Sequence, residues 1–330
     1  MSSILNLDYD SRIYHKDPSM TEVNESLSTD SGGMSKDLEN SIPSMTKAAM
    51  TMIKKRKPIY DFHTRNQSFL DVYVDLKKLG IKNNKFFLVL YDKDLIGVNP
   101  FQEILPLELQ LKIQFETLIN PWYWLREICR IPEDGSPIEI GGGSPFLLDR
   151  NSAATWWCFL HGIAHYGSKP RQCGKTQDAI SKFNYCYHYG SAASTILFFN
   201  KDAALSKTNL YRLKCQRDMM PAFMQMKIDI RDDGTMLKEI DNITTMRNPV
   251  NGNTIKVMPK ANSPDMATRL GRGETSSLQL FDEFDYIPYN INIIDASVFA
   301  FSTASINAAK NGSLFGRVFI STPRKFALSS

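Results

Sequence analysis

The 330-residue chain is 42% hydrophobic and 11% aromatic, with a formal net charge of +4. That suffices for one large α/β domain, or one domain and a smaller appendage, and the mild basic excess permits a nucleic-acid partner without arguing for one. No run approaches a membrane span, and the opening MSSILNLDYDSRIYHKD lacks a basic leader followed by an apolar block. No membrane partner and no secretion are therefore expected.

Residues 1–56 are rich in Ser and Thr, hold no sustained apolar period and close on the basic run KKRK. Such a segment buries too little to offset its ordering entropy and is expected to be disordered. A helix is expected over 62–79, where apolar residues fall at helical spacing before Gly80, then a strand at KFFLVLYD (85–92). Helical segments are expected from 106 to 120 and from 121 to 130, and the turn-rich 131–145, with its triple glycine, separates this subregion (57–145) from the C-terminal part of the chain. From residue 146 the pattern alternates. Helices are expected over 153–164, 175–189 and 202–226, and strands over 195–200, 254–259, 278–282 and 317–322. Strands separated by helices imply a mostly parallel sheet flanked by helices.

Three motifs carry chemistry. KPRQCGKT (169–176) supplies what a phosphate-binding loop needs before a helix N-terminus: a glycine turn at Gly174, Lys175 to reach outer phosphates and the Thr176 hydroxyl for Mg²⁺. The full GxxxxGK[ST] pattern fails, because Lys169 stands at its first glycine. SLQLFDEFDYIP (277–288) is an apolar run ending in Asp282 and Glu283. At the C-terminal edge of a parallel strand, Asp282 is placed to hold Mg²⁺ and Glu283 to polarise an attacking water. RVFISTP (317–323) puts Ser321 and Thr322 at a further strand end, where their hydroxyls could sense a γ-phosphate. On residue types alone, each of these also reads as ordinary turn or capping chemistry.

As a set, RQxGKT, the strand ending in DE and the later STP resemble the ATPase portion of phage terminase large subunits. TRLGRGETSSLQLFDEF, LVLYDKDLIGVNP and NPWYWLREICRIP also look like stretches of that family, so the resemblance covers roughly residues 85–325. It implies a RecA-like, additional-strand P-loop ATPase over 146–330 that uses ATP and Mg²⁺ to drive double-stranded DNA into a procapsid. The implied partners are DNA, a portal protein, a small terminase subunit and further copies of the chain in a ring, in the cytoplasm of an infected host cell. By the same resemblance Gln172 and Cys173 join Gly174, Lys175 and Thr176 at the nucleotide, Arg171 meets the γ-phosphate, and Arg150 and Asn151 stand where the family holds adenine. Ser321 and Thr322 take the coupling role, and Arg269 or Arg272 could serve a neighbouring subunit. The family's nuclease domain has no counterpart before Ser330, so a motor interrupted after its coupling motif is expected. A helicase-like ATPase and a fragment that binds nucleotide or partners without turnover are the competing readings.

Other signals read as structural. Cys158, His161 and His165 share a helix face but sit among Trp156, Trp157 and Phe159 with no fourth ligand, so a half-buried face is expected rather than a metal site. Cys173 reads as a small residue fitted to its loop. Five cysteines with no CxxC pair read as reduced thiols.

Overall fold

The computed structural model describes residues 57–323; the segment expected to be disordered (1–56) lies outside the described residues. The central element is a seven-stranded sheet of β1 (His165–Ser168), β2 (Thr195–Asn200), β3 (Ile240–Asp241), β4 (Thr245–Arg247), β5 (Thr254–Val257), β6 (Leu278–Asp282) and β7 (Gly316–Ser321). Their order is β1-β7-β6-β2-β5-β4-β3. The first five strands in that order run parallel, and β4 and β3 are added antiparallel. This is the mostly parallel α/β sheet expected from the sequence. Strand β7 separates β1, which leads into the loop at 169–174, from β6, which ends at Asp282.

The α-helices of nine residues or more among the described residues are α1 (Gln67–Lys78), α2 (Leu107–Ile119), α3 (Arg150–Leu160), α4 (Lys175–Tyr185), α5 (Ala203–Asp218), α6 (Pro264–Arg272) and α7 (Asn290–Lys310). Alternation along the strands decides which helices cover which face. Ile196 and Phe198 of β2, Leu280 of β6, and Val318 and Ile320 of β7 join one core with residues of α3, α4 and α5. Phe69, Trp122, Trp124 and other residues N-terminal to 146 belong to the same core. Leu197, Phe199 and Phe281 point the other way, against Ala267 of α6 and Ile293 of α7, with Phe319 packed beside them. There the rings of Phe199, Phe281 and Phe319 stack across three strands, with centroids 4.7 and 5.0 Å apart. Because Phe281 is opposite both other rings in register, the stack pins the relative heights of β2, β6 and β7.

Several sequence expectations need correction. In 85–92 only Val89–Leu90 is extended, after a 3₁₀ turn (Phe86–Leu88), and it pairs with Ile59–Tyr60 rather than joining the central sheet. Those residues are apolar because they are buried on every side. The helix expected over 153–164 stops at Leu160, since Gly162 takes φ +65° and turns the chain into β1. The helix expected over 202–226 stops at Asp218, and Pro221 separates it from a 3₁₀ turn (Ala222–Met224). The ribbon of Ile228–Ile230 with Met236–Lys238, strands β1, β3 and β4, and the 21-residue α7 were not anticipated. Among the described residues no group of His, Cys, Asp or Glu could hold a metal by itself, and His161 instead stacks on Trp157 at 4.0 Å between ring centroids.

Close approach of α6 and α7 depends on Gly271. A Cβ built there would lie 2.5 Å from the Ile293 carbonyl oxygen and 2.7 Å from the Ala296 Cβ. Gly271→Ala should therefore push the two helices apart and destabilise the fold by about 1–3 kcal/mol. Urea denaturation of the variant beside the wild type measures this, and an unchanged midpoint would contradict the packing described.

Candidate active site

Four parallel strands deliver their C-terminal ends to one rim. Ser168 pairs with Ser321, and Asp282 lies between Asn200 and Ile320 in register. From β1 the chain runs through 169–174 into α4, with Gln172 at φ +62° and Gly174 at φ +67°. Two left-handed residues within three positions curl the loop over the helix start, and the non-glycine Gln172 bears some strain there. Gly174 is the N-cap of α4 and no side chain caps that end. The first amides of an 11-residue helix, with the positive end of its dipole, thus face the cleft beside the loop.

The cleft has a volume of about 480 Å³. Arg171, Gln172, Cys173, Gly174, Lys175 and Thr176 line it from the loop and α4. Glu283 and Thr322 close it from the ends of β6 and β7, and Lys201 and Arg212 reach it from the α5 side. Four cations (Arg171, Lys175, Lys201 and Arg212) meet one carboxylate, Glu283, along this lining. Such a surface favours a polyanion.

Lys175 is the hub. Its buried ammonium lies 3.2 Å from Glu283 Oε1 and donates to the hydroxyl of Thr322. Thr322 in turn donates its backbone N–H to Glu283 Oε2 at 3.1 Å and its hydroxyl to Oε1 at 3.0 Å. Partial burial acts to raise the Glu283 pKa, but the bond and charge of Lys175 and the two bonds from Thr322 outweigh it and hold the carboxyl below the usual range. Glu283 itself sits at φ +54°, ψ +45°, a left-handed turn that swings its side chain off the strand and into the cleft.

Asp282, one residue earlier, stays inside the sheet at 1% exposure. Burial raises its pKa, with repulsion from Glu283 adding to the effect and a hydrogen bond from Asn209 and the charge of Lys175 opposing it. The Thr176 hydroxyl donates to Asp282 Oδ1 at 3.5 Å, and Asn209 Nδ2 donates to Oδ2 at 2.7 Å. One hydroxyl and one carboxylate, both hard oxygen donors beside the start of α4, suit Mg²⁺, which takes few protein ligands and completes its shell with water and phosphate. The residues present fit that ion.

Ser321 is buried and accepts a hydrogen bond from the Asp285 amide, so it braces the turn after Glu283 rather than lining the cleft. Arg150 and Asn151 are exposed in the first turn of α3, where Asp149 caps the Ser152 amide, and they are not among the cleft's lining residues. Arg269 and Arg272 lie on α6, with Arg269 paired to Asp265 at 2.9 Å. Sequence reasoning missed Asn209, Arg212 and Lys201. No motif marks them, and the available signal was an asparagine set among the apolar positions of α5 next to Leu210 and Leu213.

No family profile matches the chain, and no curated protein matches it. Solved structures similar to the chain include phage large terminases. The HK97 bacteriophage large terminase aligns over 60% of this chain and 36% of its own, at 13% identity and a TM-score of 0.39. The ATPase domain of the Thermus phage P74-26 large terminase aligns over 54% of this chain and 65% of its own, at 14% identity and a TM-score of 0.35. The chain therefore spans about a third of the first and just under two thirds of the second.

Lys175→Met should raise the Glu283 carboxyl pKa toward its ordinary range. A folded-state pKa held low means that the contact contributes stability at neutral pH and loses it as pH falls through the depressed value. Carboxyl NMR titration of both proteins reads the change directly, and an unshifted Glu283 in the variant would show that Lys175 does not set its charge.

Proposed function

We propose that this chain is an ATP hydrolase whose turnover drives double-stranded phage DNA into a procapsid. The observation that carries the ATPase part is the convergence of Lys175 and Thr176, at an uncapped helix start, with Asp282 at the end of β6 and Glu283 in the turn after it. The packaging role is supported by the joint occurrence of RQxGKT, the DE strand and STP, and no single one of these would suffice for it.

On this reading the amides of 173–176 and the Lys175 ammonium hold the β- and γ-phosphates. Thr176 and Asp282 would hold Mg²⁺, which when bound neutralises phosphate charge. Glu283, ionised at neutral pH, accepts a hydrogen bond from water and aligns its oxygen with the γ-phosphorus. The water oxygen bonds to phosphorus and passes a proton to the Glu283 carboxylate as the bond to the β–γ bridging oxygen breaks, and ADP leaves with that electron pair. Arg171 on the loop stabilises the charge that develops on the transferring group. Because Thr322 bonds both Lys175 and Glu283, a phosphate that takes up the lysine loosens the segment after β7. We assign the coupling of hydrolysis to DNA movement to Ser321, the last residue of β7, and to Thr322 just beyond it. The partners on this reading are DNA, a portal protein, a small subunit and further copies of this chain in a ring.

Glu283→Gln should leave Mg²⁺-ATP binding within about twofold of the wild type but lower hydrolysis by about 10²-fold or more. Equilibrium binding and phosphate-release assays on the same preparation test this, with and without double-stranded DNA. Undiminished hydrolysis in the variant would remove Glu283 from the catalytic role.

A further inference from the structure

Three of the four cations of α5 are held in different ways. Lys214 pairs with Asp241, and Arg217 is surrounded by Asp218, Glu239 and Asp241. Arg212, half-buried, has no carboxylate within ion-pair distance among the described residues. Its Nη1 donates instead to the side-chain oxygen of Asn209 at 3.0 Å. Leu205, Asn209 and Arg212 are spaced i, i+4 and i+7, so one face of α5 turns toward the cleft, and both Leu205 and Arg212 line it.

Asn209 is fully buried and is fixed from several sides. Its Nδ2 donates to Asp282 Oδ2 at 2.7 Å and faces Asn200 Oδ1 at 3.3 Å, while its oxygen takes the Arg212 hydrogen bond. Asn200 is held in turn by its own bond to Ser206 at 3.0 Å. One amide side chain therefore links the carboxylate at the end of β6 to a guanidinium in the cleft. A guanidinium held by a neutral oxygen keeps four of its five N–H donors available and its charge uncompensated, a combination suited to phosphate oxygens.

We propose that Arg212 is a phosphate-binding residue for the terminal phosphate of a bound nucleoside triphosphate, and that Asn209 is the positioning residue that sets Arg212 and Asp282 relative to one another. The proposal rests on the nucleotide reading of the cleft. It adds a cation outside the phosphate loop and makes α5 sensitive to whether a third phosphate is present. Loss of the Asn209 amide would release both groups at once, whereas loss of Arg212 would leave Asp282 in place.

The test measures equilibrium binding of fluorescent adenosine di- and triphosphate analogues, the latter non-hydrolysable, to the full chain over a range of Mg²⁺ concentrations. Arg212→Ala should weaken triphosphate binding by about tenfold and diphosphate binding much less, and Arg212→Lys should recover most of the difference. Asn209→Ala should raise the Mg²⁺ concentration needed for half-maximal triphosphate binding, a readout that a purely packing role would not move. Lys175→Ala separates the two levels of inference. If it abolishes binding while Arg212→Ala binds both nucleotides like the wild type, the Arg212 assignment is overturned and the nucleotide reading stands. A wild-type chain that binds no triphosphate overturns both. Circular dichroism of each variant verifies the fold, and the lysine variant keeps the result decisive should the alanine variant misfold.

Discussion

Lys175 can meet Glu283 and Thr322 only if three segments far apart in sequence arrive at one height on one edge of one sheet. Parallel pairing of β6 with β7, and of β7 with β1, imposes that height, because a slip of one residue would turn every side chain to the opposite face. The stacked rings of Phe199, Phe281 and Phe319 resist such a slip from one side, and the buried Leu280 and Val318 resist it from the other. The register of the core thereby fixes the geometry of the charged rim.

Once the edge is assembled, electrostatics divides labour between two adjacent acids. Asp282 keeps the strand direction and stays in the interior, where Asn209 and Thr176 satisfy its oxygens. Glu283 leaves the strand through a left-handed turn and enters a partly solvated cleft, where a lysine keeps it ionised. Neighbours in sequence thus acquire pKa shifts of opposite sign from burial on one hand and an adjacent cation on the other. Glu283 serves as the anion for Lys175. On the proposed reading, a γ-phosphate bearing more charge would compete for the same ammonium and so link nucleotide binding to the freedom of Glu283 and Thr322.

Much of this was legible in the sequence, for reasons that differ by element. Strands β2 and β6 match their expected ranges because TILFF and LQLF are apolar runs, the mark of a strand covered on both faces. The loop at 169–176 and the two acids stood out because the chemistry proposed for them needs particular residue types at fixed local spacing, and the structure brings them to one cleft. By contrast, β1 is HYGS, four residues without an apolar run, and it becomes a strand only by pairing with β7. Helix α7 carries small and β-branched residues with few charges, so its period is weak. Asn209 and Arg212 escaped notice because their role comes from where α5 packs, more than 70 residues before the carboxylate that Asn209 contacts. Local grammar reveals the loop and the acids, whereas tertiary placement alone reveals what orients them.

A crystal structure of the chain with Mg²⁺ and a non-hydrolysable ATP analogue is the most direct measurement of the central claim. The account predicts the γ-phosphate within hydrogen-bonding distance of Lys175, the ion held at Thr176 and Asp282, and Glu283 released from Lys175 to face the phosphorus. Nucleotide bound elsewhere, or bound in this cleft with the Lys175–Glu283 pair still intact, would contradict it.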